Sequence, residues 1–176
     1  MVCMRVLVFI PPAEYKDDAL KLATLFMEKW GIAYDLSSYH TGECRGSQGH
    51  ITKVRINTKD ARPSDYGAFV IIGGDGIDKY KLPEFRPLID MVIKFSNENK
   101  KICAIGSGIK IIPRANIIKG KRIVSNQNGS IAQNVSLFHG IPSDKPFEIQ
   151  GNITTISDKE VSFIEQGLEG FMGQLG

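Results

Sequence analysis

Ile102-Cys103-Ala104-Ile105-Gly106-Ser107-Gly108 reads as a buried strand that turns sharply into a helix. Its apolar residues run without alternation, which suits a strand covered on both faces. Strand, sharp turn and helix together form the elbow on which α/β enzymes hold a Ser or Cys out over a pocket. Such a turn needs small residues two positions before and two after its apex. With Gly106 as apex these are Ala104 and Gly108, which fit. With Ser107 they are Ile105 and Ile109, which crowd the turn. The apex therefore falls on Gly106 and carries no side chain. Ser107 stays as a secondary catalytic candidate, read first as a neighbour that donates its backbone N–H.

Outward from the elbow, apolar strands and amphipathic helices alternate. Arg5 to Ile10 is a buried strand stopped by Pro11-Pro12. Asp17 and Asp18 open a helix running to about Trp30, their charges suiting the helix dipole, and Gly31 ends it. Ile32 to Ser37 is a second strand. Thr41 to Gly49 is polar, Gly-rich and turn-like, and Ile51 to Ile56 alternates like a half-exposed strand or hairpin. Ala68 to Ile72 is fully apolar and ends in Gly73-Gly74-Asp75-Gly76. Leu88, Met91, Val92 and Phe95 recur at helical spacing up to about Asn99. The elbow helix runs to about Ala115, and Lys119 to Ser125 returns a short strand. Asn128-Gly129 marks a turn, followed by an irregular loop to about Lys145. Ile153 to Ile156 is a late strand, and Asp158 caps a final helix ending near Met172. This order predicts a single α/β domain over residues 1–176. Its mostly parallel central sheet has helices on both faces, a flavodoxin-like three-layer sandwich.

Composition bounds the functional classes. At 176 residues the chain supports one core, with 42% hydrophobic and 23% charged residues. A net charge of +3, without a clustered basic patch beyond Lys119 to Arg122, argues against nucleic acid as a partner. No apolar stretch reaches membrane length and no leader pattern is present, so a cytoplasmic protein without membrane contact is expected. Cys3, Cys44 and Cys103 lack metal or redox spacing. His40, His50 and His139 lie in polar loops, His139 being the one best placed to approach the elbow. Neither a metal nor a cofactor is expected. Gly106-Ser-Gly108 only superficially matches a dinucleotide fingerprint, because Ile111 stands in place of the third glycine.

In parallel sheets, ligands bind outside the carboxyl ends of the strands. Three segments fall there: Pro11 to Asp18, Gly73 to Gly76, and Gly106 to Gly108. Gly73, Gly74, Gly106, Ser107 and Gly108 are the expected ligand-binding residues, since exposed backbone N–H groups bind polar or anionic ligands without a side-chain nucleophile. Asp18 is the candidate acid–base group, a carboxylate facing the elbow, although capping of its helix is the alternative role. Cys103 points into an apolar layer, where a thiol is inert.

Four stretches together resemble the ThiJ/PfpI superfamily, which has the class I glutamine-amidotransferase-like sandwich, over about Val6 to Leu168. These are Val6 to Ile10 with Pro12-Ala-Glu-Tyr-Lys-Asp-Asp18, Asp65 to Gly74, Ile102 to Gly108, and Ala115 to Val124. The resemblance implies Cys at the apex followed by His, where this chain has Gly106 and Ser107. It implies a Glu contacting that Cys, where this chain has Asp18. It also implies a glycine-proline pair where Ser157-Asp158 stand. Peptidase, glyoxalase and deglycase activities in the family depend on the thiolate. The expectation is therefore a nucleophile-less homodimer that binds a small polar or anionic metabolite. The alternatives are a hydrolase or lyase in which Asp18 activates water, and a regulatory partner with a vestigial pocket.

Overall fold

The computed structural model describes residues 4–126 and 129–175. Twelve strands carry the architecture: β1 Arg5–Phe9, β2 Ala13–Tyr15, β3 Ala33–Ser38, β4 Gly42–Gly46, β5 Ile51–Val54, β6 Ile56–Asn57, β7 Ala68–Ile71, β8 Lys101–Ile105, β9 Arg122–Val124, β10 Ile141–Ser143, β11 Phe147–Gln150 and β12 Ile153–Ile156. The helices are α1 Asp17–Lys29, α2 Gly76–Lys79, α3 Arg86–Asn97, α4 Gly129–Leu137 and α5 Val161–Leu175. The elbow helix Gly106–Ala115 is wound as a 3₁₀ helix.

Seven strands form the central sheet in the order β11-β12-β8-β7-β1-β3-β6. All its pairings are parallel except that of the edge strand β11 with β12. Alternate residues of each strand feed two separate cores. Leu7, Phe9, Phe69, Ile71, Ile102 and Ala104 pack with α3 and the elbow helix. Val6, Val8, Val70, Cys103 and Ile105 pack with α1 and α5. The α/β sandwich expected from the alternation of strands and helices is the fold of the chain.

The structure differs from the sequence reading in three places. The polar stretch over residues 41–49 contains β4, which pairs with β5 as a hairpin and with β2. Only Cys44 and Gly46 of that strand turn inward, so its polar outer face hides the pattern. The expected irregular loop before Lys145 holds α4 and β10, with Ile131 and Val135 buried one helical turn apart; Asn128 lies outside the described residues. Asp158 does not cap the last helix. The first carbonyl taken up by α5 is that of Glu160, bonded by Phe163 and Ile164 N–H, and Asp158 turns toward the elbow instead.

Candidate functional site

β8 delivers Ile105 in extended geometry, and the next residue, Gly106, takes φ +61°, the left-handed value that makes the turn sharp. The glycines around it allow the end of β7 and the elbow to touch. A Cβ on Gly73 would stand 2.5 Å from the Ile105 carbonyl oxygen and 2.8 Å from the Ser107 nitrogen. A Cβ on Gly108 would stand 2.9 Å from the Ile71 carbonyl oxygen. Gly73, Gly106 and Gly108 are buried behind the surface, while Gly74 and Ser107 reach it.

The loops leaving β1, β7, β8 and β12 enclose a cavity of about 320 Å³ at the carboxyl ends of those strands. Its size suits a small metabolite. Lys16, Asp18, Gly74, Asp75, Ser107 and Asp158 line it, and Asp17, Ser47 and Gln48 close one side. Lys16 is held by its backbone, which donates to the Gly73 carbonyl at 2.9 Å. The two acidic residues that open α1 divide their work. Asp17 Oδ2 accepts the N–H groups of Gln48 and His50, both at 3.2 Å, and so ties the β4–β5 hairpin over the cavity. Asp18 borders both this cavity and an adjoining one of about 810 Å³ that reaches His50.

The Ser107 hydroxyl donates to the Gly74 carbonyl at 2.8 Å and accepts the Gly74 N–H at 2.9 Å. Its proton and one lone pair are thereby committed to the glycine loop. Burial alone pushes the Cys103 thiol far above its ordinary pKa, and burial also raises that of Cys44. Neither is a thiolate available to the cavity. His139 sits exposed at the end of α4 and does not line the cavity, contrary to the expectation that it approaches the elbow. His50 borders the adjoining cavity, its Nδ1 2.8 Å from the buried Tyr15 hydroxyl.

Asp158 was not foreseen as a site residue. Its carboxylate fills the space that a Cβ at Gly106 would occupy, with Oδ1 3.1 Å from that position. Burial raises the Asp158 pKa; the charge of Lys16 opposes that rise and the charge of Asp75 adds to it. Lys16 and Asp75 were also missed. The signal available for Asp158 was the pairing of two departures from the resembled pattern, one at the apex and one after the last parallel strand.

A parallel α/β sandwich with a sharp elbow at the strand ends defines the class, and the comparisons narrow it. The chain belongs to the DJ-1/PfpI family, whose profile matches residues 4–168. It is 32% identical over 151 residues to an uncharacterized protein of Methanocaldococcus jannaschii, covering 86% of this chain and 73% of that one. It is 24% identical over 119 residues to the deglycase PfpI of Pyrococcus furiosus, covering 68% of this chain and 70% of that one. Among solved structures, a ThiJ/PfpI domain protein from Brachyspira murdochii superposes with a TM-score of 0.89 at 18% identity, over 99% of this chain and 98% of that one.

Proposed function

We propose that this chain binds a small polar metabolite in the elbow pocket and does so without thiol chemistry. The observation that carries the reading is Gly106 at φ +61°, an elbow with its sharp turn and no side chain, beside a cavity of about 320 Å³. Ligand contacts would come from Gly74, Ser107 and Asp18, with Gly73, Gly106 and Gly108 shaping the wall behind them. Four carboxylates, those of Asp17, Asp18, Asp75 and Asp158, stand around one ammonium, Lys16. That balance favours a ligand with hydroxyl or amino groups over an anion, narrowing the expectation from sequence. The family resemblance supports a homodimer, which sedimentation of the purified protein tests, and a cytoplasmic location, which cell fractionation tests.

The experiment has two arms. Native mass spectrometry of freshly purified protein should reveal a reproducible bound metabolite. Assays with methylglyoxal, small peptides and amides, run beside an alkylated sample, should show no turnover that alkylation removes. Thiol-dependent turnover would sink the reading.

The second reading, a hydrolase or lyase in which Asp18 activates water, has its own support. Asp17 carries the hairpin, while Asp18 borders two adjoining cavities. Asp18→Asn would then abolish turnover and leave the fold intact. Turnover that persists in that variant removes Asp18 as the base.

A further inference from the structure

The side chain missing from the elbow is replaced from the neighbouring strand. β12 pairs in parallel with β8, Ile156 lying opposite Ile105, so the chain leaving β12 passes beside the apex. Ser157 is fully buried there and Asp158 follows it, turned inward. The Asp158 carboxylate then stands where a side chain on Gly106 would begin. It borders the cavity, and among the described residues its carboxylate is met only by its own backbone N–H. A half-buried carboxylate with unused acceptor atoms is costly unless something else satisfies it. Here the groups that surround it can only bias it. Lys16 attracts its charge, while Asp75, Asp17 and Asp18 oppose a further anion in the same space. The hydroxyl of Ser107, a neutral donor on the elbow, is taken by Gly74.

We propose that Asp158 is the functional side chain of this elbow. Its carboxylate accepts a hydrogen bond from a hydroxyl or amino group of the ligand seated over Gly106. The inference rests on the elbow-pocket reading above and adds the recognising group and the ligand chemistry. A charge-assisted acceptor of this kind is stronger than a neutral one. Burial holds the Asp158 pKa above the ordinary carboxylate value, so ligand binding weakens as pH falls through that raised value.

Two measurements test the proposal. The first is a thermal-melt cycle of Gly106→Ala, Asp158→Ala and the double variant. The first substitution should lower Tm through both backbone strain and collision with the carboxylate, and Asp158→Ala should recover part of that loss. Simple additivity would place the carboxylate elsewhere and overturn the geometry. The second uses ethanolamine and propionate as probes, read by NMR of labelled aspartate carboxyls and of the Gly74 and Ser107 amides. Ethanolamine should shift the Asp158 carboxyl, and its affinity should fall at least about tenfold in Asp158→Asn and again on acidification. Propionate should leave these signals unmoved. Equal ethanolamine binding by wild type and Asp158→Asn overturns the role of Asp158 and leaves the pocket reading standing. Propionate binding in place of ethanolamine, or no ethanolamine response, overturns the ligand class. Failure of the pocket reading itself shows separately, as Gly74 and Ser107 amides that ignore both probes and a native mass spectrum free of metabolite.

Discussion

The Ser107 hydroxyl and the Gly74 peptide hold each other twice, the hydroxyl donating to the carbonyl and accepting from the N–H. Gly74 takes φ +125°, a conformation that a side chain resists, and a Cβ there would meet the Glu14 carbonyl and lie 2.7 Å from the Lys16 nitrogen. The hydroxyl therefore acts as a clamp on a loop only glycine can form, which fixes one wall of the cavity.

Ser107→Ala should cost about 1–3 kcal/mol of stability, because it leaves a Gly74 donor and acceptor without their partner. Urea unfolding measures it. Amide exchange at Gly74 should accelerate more than at β8, whose ladder bonds are untouched. A variant as stable as wild type would mean the clamp contributes nothing.

Gly73→Ala should destabilise by about 1–3 kcal/mol through overpacking, since the added methyl meets backbone rather than a movable side chain. Gly120→Ala is the useful control. Nothing lies within 4 Å of its added carbon, so its cost comes from φ +73° alone. Comparing the two by thermal denaturation separates collision from strain.

Asp17→Ala should loosen the β4–β5 hairpin and leave the sheet intact. Hydrogen exchange at the Gln48 and His50 amides should rise more than exchange in β1 and β8, which tracks only the change in global stability. Global stability should fall by about 1–2 kcal/mol, near the lower end for bonds to a charged acceptor, because both bonds are long at 3.2 Å. One Asp17 oxygen, Oδ1, is buried without a partner, and relieving it offsets part of the loss.

Asp158→Asn should stabilise the fold at neutral pH, measured as a higher Tm than wild type. Because the folded pKa of Asp158 is raised, the folded state holds its proton where the unfolded chain has lost it. Stability from this group is thus present below the unfolded value and declines as pH rises through the raised folded value. The gain from Asn should shrink as pH drops toward the ordinary carboxylate range. A constant difference across pH would contradict the raised value.

The elbow was legible because its requirements are local. Spacing alone put the apex at Gly106, with Ala104 and Gly108 as its small neighbours, and the backbone turns there with a positive φ. The buried strands were legible for the same reason, since Val6 to Ile10 and Ala68 to Ile72 are apolar throughout. β4 was not, because Glu43 and Arg45 face outward and a single cysteine marks its inner side. α4 shows only Ile131 and Val135 as buried residues among Ser, Gln and Asn, too sparse a stripe to read as a helix. The position of Asp158 depends on the register of β12 against β8, a long-range pairing that no periodicity encodes. For that reason it read as a cap on the helix that follows it. The sharing of labour between Asp17 and Asp18 was hidden too, since it depends on where the hairpin folds back.

The contact between Gly106 and Asp158 also constrains how this lineage can change. A codon change giving any side chain at 106 places its first carbon in the Asp158 carboxylate, so that step meets selection against it while Asp158 remains. A side chain is accommodated most easily at 106 once position 158 has changed. Descendants of this chain would accordingly keep the two positions together, or lose them in that order.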